Sequence, residues 1–358
     1  MRPRVLFLSG REVGYIRNRV LLAALRVYCD VIVLTGGGHG ILARTVAGLA
    51  RWLAHQPIYD VALAGFYGQL IALALSVFQR KPIILDAYVS TYDTLCEDRA
   101  RFRPRSIPGR LAYWLDQRSC QVASRVMTDT RTHAHYFAHQ FGIPKTKLRP
   151  IYVGCDEALF YPRVNVSSSS RRCEVFSYSS FLPLHGTEVI VQAAALLKSR
   201  PDIHFTLGGD GAGLQAVRQM VEELGLGNID LVGWIPMERL PAYIAEASIC
   251  LGGHFSTIPK AARVISTKTF QFIAMRKPTI VGDNAATREL FVPGEHVYAV
   301  PMGDPAALAK AISELADDAV LRDRIAAGGY ALFQERLTTH VIAGQLASLI
   351  EEVQCASA

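Results

Sequence analysis

The sequence predicts an α/β protein built as two domains. Three observations carry this. The chain has 358 residues, more than one typical core accommodates. Short aliphatic runs alternate with helical patterns in both halves. A Ser-, Pro- and Arg-rich break, PRVNVSSSSRR at residues 162–172, separates them. The expected division is residues 1–165, residues 166–335, and a closing helical stretch, 336–358, long enough to cross back onto the first domain. Half of the residues are hydrophobic and 19% are charged, an ordinary globular composition.

Residues 4–8 (RVLFL) and 31–34 (VIVL) are strand-like runs around a helical pattern at 17–28, a βαβ opening. The loop between the first run and the helix holds Gly10 and Gly14. Gly14 suits close approach of a ligand to the backbone, and equally suits a plain turn. The GGGHG run at 36–40 is a connection and does not fit GxGxxG. A helix from 41 to 55 sets Arg44 and Arg51 beside Leu42, Val46, Leu49, Trp52 and Leu53. Such a border suits a membrane-surface helix, although packing on the sheet explains it more simply.

Strands follow at 61–64 and 83–85, the latter ending in Asp86. Residues 90–109 carry Glu97, Asp98, Arg99, Arg101, Arg103 and Arg105 with Pro104 and Pro108, and are expected to be an exposed, flexible excursion. After a helix near 111–123, the strand 125–128 runs into Asp129-Thr130, an N-cap for a helix holding His133, His135 and His139. There is no HExxH and no supporting carboxylate, so metal binding is not expected there.

The second half repeats the alternation, with strands at 174–178, 204–208 and 229–232 and helices at 187–199, 214–224 and 240–245. Residues 250–290 then concentrate the chemistry. A strand at 247–251 passes into a Gly/Ser/Thr/Pro loop holding Lys260 and Arg263. A short amphipathic helix at 267–275 follows, with Lys268 in its first turn, then a buried strand at 278–281 and a polar loop closing on Glu289. Loops at the carboxyl ends of strands are where α/β sheets hold ligands, and a helix N-terminus offers unpaired N–H groups at a positive dipole end. Each cation alone reads as a solvated loop charge. Together they point to an anion site, most simply for a diphosphate.

Charge is uneven along the chain. Up to Arg163 there are 22 Lys/Arg against 11 Asp/Glu, and beyond it 16 against 20. The basic first half lacks the aromatic platforms and recognition motifs of a nucleic-acid binder. An anionic membrane surface or an anionic lipid-linked acceptor accounts for it as well. No apolar run approaches the roughly 20 residues that span a bilayer. The N-terminal apolar run is followed by charge and reads as a strand, not a signal peptide. Seven scattered cysteines without a CxxC read as the reduced, space-filling cysteines of a cytoplasmic protein.

The stretches SYSSFLPLHG (177–186), LGGDG (207–211), VGWIP (232–236), KTFQFIAMRKP (268–278) and Arg288-Glu289 occur in an order and spacing that resembles retaining glycosyltransferases of family 4. The first half is similar to members with a YIRN-type first loop (15–18) and a segment like DAYVSTYDT (86–94). The resemblance implies the GT-B fold, two Rossmann-like domains with parallel sheets facing across a cleft. It also implies transfer of a sugar from a UDP- or GDP-sugar, held by the second domain, to a glycan or lipid-linked acceptor held by the first. It implies no metal and no cofactor beyond this co-substrate, and no DxD motif of the metal-dependent kind occurs.

Carried onto this sequence, the family's diphosphate-facing cations after the first strand of the second domain fall on Ser180 and His185, with Lys260, Arg263 and Lys268 as substitutes. Its Glu-x7-Glu falls near Arg263 and on Gln271, which offers one acceptor oxygen to ribose in place of two. Gly209, Trp234, Ile235 and Glu289 fall in the donor loops; Asp86 or Asp93 suits orientation of an acceptor hydroxyl near the reacting carbon, and either equally suits a structural loop cap. The alternative reading is a GT-B-shaped sugar-nucleotide-binding or partner subunit whose catalytic set is eroded at Arg263 and Gln271. The sequence leaves oligomeric state, sugar, base and acceptor open.

Overall fold

The computed structural model describes residues 2–163 and 172–356; most of the 162–172 break lies outside the described residues. The chain forms two compact units, residues 1–154 with 338–358, and residues 155–337.

In the first unit, β1 (Arg4–Leu8), β2 (Asp30–Val33), β3 (Val61–Ala64), β4 (Ile83–Asp86), β5 (Arg125–Thr128) and β6 (Leu148–Pro150) make one sheet in the order β2-β1-β3-β4-β5-β6. Every pairing is parallel, so each connection crosses over through a helix or loop. These helices are α1 (Ile16–Tyr28), α2 (Ile41–His55), α3 (Gln69–Phe78), α4 (Ile107–Val122) and α5 (Arg131–Phe141). The period of two along β1 decides the layers. Val5 and Phe7 join a core with Leu21 and Leu25 of α1. Leu6 and Leu8 join the opposite core with Trp52, Ile71, Leu75, Ala112 and Phe137.

The closing helix, Thr339–Cys355, belongs to the first of these cores and buries Ile342, Ala343, Leu346, Leu349, Ile350 and Val353. Each large side chain contributes about 1.5–3 kcal/mol when fully buried. Apolar burial therefore outweighs the half-exposed contact of Glu352 with Arg125 at 2.7 Å, which is worth about 0–1 kcal/mol.

The exposed excursion expected over residues 90–109 is confined to its second half, where Arg99, Arg101, Arg103 and Arg105 are exposed, and the first half is anchored. Asp116, buried on α4, accepts from Ser90 Oγ at 2.7 Å and from the N–H groups of Thr91 at 3.0 Å and Tyr92 at 2.8 Å. Gln69 Nε2 adds a fourth donor at 3.2 Å. Ser90, Asp93 and Thr94 are buried and a π-helical turn runs over Asp93–Asp98. Exposure begins only at Arg99. The helix that follows starts four residues earlier than its periodicity suggests, because Ser106 caps Gly109 N–H and Pro108 sits in the first turn.

In the second unit, β7 (Cys173–Ser179), β8 (Ile203–Gly209), β9 (Ile229–Gly233), β10 (Ile249–Leu251), β11 (Thr279–Asp283) and β12 (Tyr298–Pro301) form a parallel sheet in the order β12-β11-β10-β7-β8-β9. Its helices are α6 (Thr187–Leu196), α7 (Leu214–Glu223), α8 (Leu240–Glu246), α9 (Thr267–Ala274), α10 (Ala285–Leu290), α11 (Pro305–Asp317) and α12 (Ala319–Arg336). Val175, Phe205, Leu207, Ile249 and Ile280 pack with Ile190, Val191, Leu308 and Ile312 in its core. The chain runs outward from β7 through β8 and β9, then returns to start outward again from β10. The carboxyl ends of β7 and β10 are therefore the point where strand order reverses, the place where open α/β sheets accommodate ligands.

Candidate active site

Lys268 stands at that point. It lies in the first turn of α9, is 4% exposed, and donates from Nζ to Ser177 Oγ at 3.3 Å and to the Tyr178 carbonyl at 3.1 Å. Ser177 Oγ in turn donates to the Leu251 carbonyl at 2.9 Å, so the lysine sits across the ends of β7 and β10. Among the described residues no carboxylate pairs with it. Burial pushes its ammonium down to about 7, because a desolvated charge without a counter-charge is unfavourable.

Two imidazoles lie beside it. His185, in a short turn before α6, stacks on His254, in the loop after β10, with centroids 5.5 Å apart and planes 7° from parallel. Burial first, then the Lys268 charge, pushes His185 down to about 3. Burial, His185, Lys268 and Lys260 hold His254 well below its ordinary value. Both rings are neutral. The close seat of the two loops requires Gly186: its φ is +67° and a Cβ there would stand 2.3 Å from Ser256 N.

Three residues after Lys268 on α9, Gln271 is fully buried and accepts from the Tyr178 hydroxyl. Among the described residues its Nε2 has no hydrogen-bond partner, and the same holds for Thr269 Oγ1, His185 Nδ1 and His254 Nδ1. Unsatisfied buried polar atoms are uncommon and costly. Two of these atoms lie on α9 and two on the loops that follow β7 and β10, where a polar ligand would satisfy them.

The remaining expected residues divide. Lys260, buried in a 3-10 turn over Pro259–Ala262, acts on His254, and Arg263 follows half-buried. Glu289 is half-buried on α10, and Ser180 is exposed just past β7. Gly209 has a φ of +131° and a Cβ there would stand 1.8 Å from the Ser179 carbonyl, so this glycine lets the loop after β8 lie on the loop after β7. Trp234 is 72% exposed, whereas Ile235 is buried against Gly208.

Gly14 and Asp86 lie in the first unit. Nothing stands within 4 Å of a Cβ built on Gly14. The expectation for Asp86 needs correcting. Its carboxylate is not open to an acceptor hydroxyl but is held by Arg17, from Nε at 3.1 Å and Nη2 at 2.8 Å, with both residues fully buried. Arg17 also donates to the Ile151 carbonyl at 3.3 Å. A buried carboxylate needs such a partner, and the sequence reading passed over Arg17 because it lies 69 residues away. Asp93 is fully buried as well. His133 is held by Asp129 at 2.6 Å, and no group of metal-ligating side chains occurs among the described residues.

Ser177, Tyr178, His254 and Thr269 were missed as site residues. The signal for all four was present, because they lie in the quoted stretches 177–186 and 250–290.

Residues 174–318 match the family described as glycosyl transferases group 1. Over 305 residues, 81% of this chain and 74% of the relative, the sequence is 22% identical to alpha-D-kanosaminyltransferase of Streptomyces kanamyceticus. The chain is a glycosyltransferase of the GT-B fold. Among solved structures, it superposes on the Anabaena protein Alr3699/HepE in complex with UDP and glucose with a TM-score of 0.75 and 20% identity, covering 98% of this chain and 100% of that one. Sucrose-phosphate synthase of Thermosynechococcus elongatus superposes with a TM-score of 0.77 at 17% identity, over 99% and 100% of the two chains. The matched span of this glycosyltransferase contains every site residue of the second unit named above.

Proposed function

We propose that the chain is a retaining, family 4-like hexosyltransferase that takes a sugar from a UDP- or GDP-sugar without a metal. The acceptor is a glycan or lipid-linked precursor in cell-envelope or glycoconjugate biosynthesis, and the site of action is the cytoplasmic face of a membrane. One observation carries the donor reading: the buried Lys268, without a counter-charge among the described residues, at the switch point of the second sheet with the neutral His185 and His254 beside it. A departing nucleoside diphosphate develops negative charge as the sugar C1–O bond breaks. A fixed cation in a dry site stabilises that charge more in the transition state than in the ground state.

The ligand supplies the missing counter-charge, so Lys268 becomes a full cation on binding, aided by Lys260 and the N-terminus of α9. Gln271, one turn further along α9, and Tyr178 of β7, which donates to it, are the groups assigned to the ribose hydroxyls in this reading. Among the relatives, the Anabaena protein binds UDP-glucose, which supports a uridine donor. No helix among the described residues is long and apolar enough to cross a membrane, so the membrane part of this reading rests on the basic first half.

Thermal denaturation with a panel of nucleoside diphosphates, followed by product release from the matching nucleotide sugars, tests the proposal. A diphosphate should raise the melting temperature by several degrees where the monophosphate does little. No shift with any of them overturns it. The neutral Gln271 and His185 favour a second reading, a binding subunit. Protection by a nucleotide sugar with no turnover on any acceptor establishes that one instead.

A further inference from the structure

The first unit turns an unusual face outward. On α2 the buried residues are Thr45, Gly48 and Trp52, whereas Leu42, Val46 and Leu53 are 64%, 58% and 49% exposed. Spacings of four and seven residues put those three on one stripe of the helix. The ordinary arrangement, large aliphatics inward and polar groups outward, is reversed.

Helix α3, which packs against α2, contains no charged residue. Its outward stripe includes Leu70, Val77 and Phe78, with Val77 and Phe78 at 76% and 65% exposure. On α4, which packs against the other side of α3, Ile107, Leu111 and Trp114 repeat the same spacing at 84%, 62% and 51%. A cavity of about 480 Å³, lined by Trp52, Leu53, Ile58, Tyr59, Phe78 and Lys81, opens between the ends of α2 and α3. Scattered single exposed aliphatics are normal, but three adjacent helices with aligned stripes are not.

Charge identifies the occupant. Across α2, α3 and α4 the single carboxylate is Asp116, and it is fully buried. Arg80 and Lys81 follow α3 directly. Arg103 and Arg105 are exposed just before α4, and Arg118 continues the stripe of Ile107, Leu111 and Trp114. An apolar face bordered by cations, on helices that carry no exposed carboxylate of their own, complements an anionic lipid surface, in which the aliphatic side chains enter the acyl boundary and the basic groups meet phosphate.

We propose that the outer face of α2, α3 and α4 is a monotopic docking surface for an anionic phospholipid bilayer. It rests on the membrane reading above and specifies the face. Docking there would hold the enzyme where lipid-linked acceptors are found.

Co-sedimentation of the full chain with phosphatidylcholine vesicles, with and without phosphatidylglycerol, tests it against two variants. Phe78→Glu on α3 and Leu111→Glu on α4 are exposed positions, and each should lower partitioning onto the anionic vesicles at least about tenfold, with the nucleoside-diphosphate thermal shift retained. High salt should weaken binding of the unaltered protein. If the unaltered chain ignores anionic vesicles at low salt, the membrane reading itself fails. If it binds and both variants bind equally well, only the face is wrong. A concentration-dependent dimer dispersed by either substitution makes the face a protein interface and overturns the proposal.

Discussion

The two sheets end in opposite electrostatic conditions at their carboxyl edges. In the first unit the buried cation Arg17 is matched by Asp86 in a two-point contact, and His133 is matched by Asp129. In the second, Lys268 has only neutral oxygens within reach and two imidazoles are forced neutral beside it; polar atoms without partners occur in both units, Asp129 Oδ2 and His133 Nε2 among those of the first, so the contrast is one of charge. A compensated cluster is finished by the chain itself and reads as architecture. An uncompensated one is finished by a ligand. The diphosphate of the proposed donor is assigned to the second.

The comparison breaks first, and by the largest margin, at Asp86. Asp86→Ala leaves the Arg17 guanidinium buried without its anion and should cost about 3–5 kcal/mol of stability, read from urea denaturation of the full chain. Arg17→Met combined with Asp86→Leu removes both charges and should recover most of that loss. If Asp86→Ala unfolds no more readily than the unaltered chain and loses only turnover, the pair is not architectural and Asp86 returns to the chemistry.

Lys268→Met sharpens the same contrast from the other side. Turnover should fall about a hundred- to a thousandfold, the range for loss of one group aimed at developing negative charge. The ligand-free protein should melt no lower than the unaltered one at neutral pH, since the substitution removes a desolvated charge and keeps the packing of the stem. Equal turnover in the variant, measured on the preferred nucleotide sugar, removes the lysine from the diphosphate site.

The sequence disclosed the parallel sheets well, because β-branched runs such as RVLFL at β1 and helical periods such as 41–55 are local signals. It brought out the run of cations for the same reason: Lys260, Arg263 and Lys268 lie within nine residues of one another. It was blind where the deciding partner is remote. Asp86 looked available until Arg17 was placed beside it, and the start of the segment 90–109 looked free until Asp116 was seen to collect the donors of residues 90–92. Cores and caps are written locally. Buried polar pairing is written across the fold.

Titration offers a smaller but more specific test. Lys268 stands at about 7 in the folded chain against 10.5 unfolded. Between those values the unfolded chain binds more protons, so stability of the ligand-free protein should rise as the pH is raised from about 7 towards 10.5. His185, at about 3 against 6.5, should make stability fall as the pH is lowered from 6.5 through 3. A bound diphosphate restores the lysine's charge, so binding should take up close to one proton above about pH 8, and affinity should weaken as the pH climbs. Calorimetry in two buffers of different ionisation heat reads this directly, and proton-neutral binding in that range contradicts phosphate contact at Lys268.

The smallest expected effect concerns Gln271. Its oxygen already accepts from Tyr178, so only its nitrogen, without a partner among the described residues, is left for the ribose of the proposed donor. Gln271→Glu keeps the acceptor for Tyr178 and exchanges that orphan donor for a second acceptor, which a ribose hydroxyl can satisfy with a charge-assisted bond worth about 1.5–3 kcal/mol. Against this stands the cost of a desolvated carboxylate, offset in part by the nearby Lys268. The net should be a modest loss of ligand-free stability with nucleoside-diphosphate affinity several-fold higher, read by titration calorimetry. Weaker binding by the variant would mean that the amide nitrogen meets an acceptor on the ligand, which moves the ribose away from α9 and leaves the phosphate contact at Lys268 standing alone.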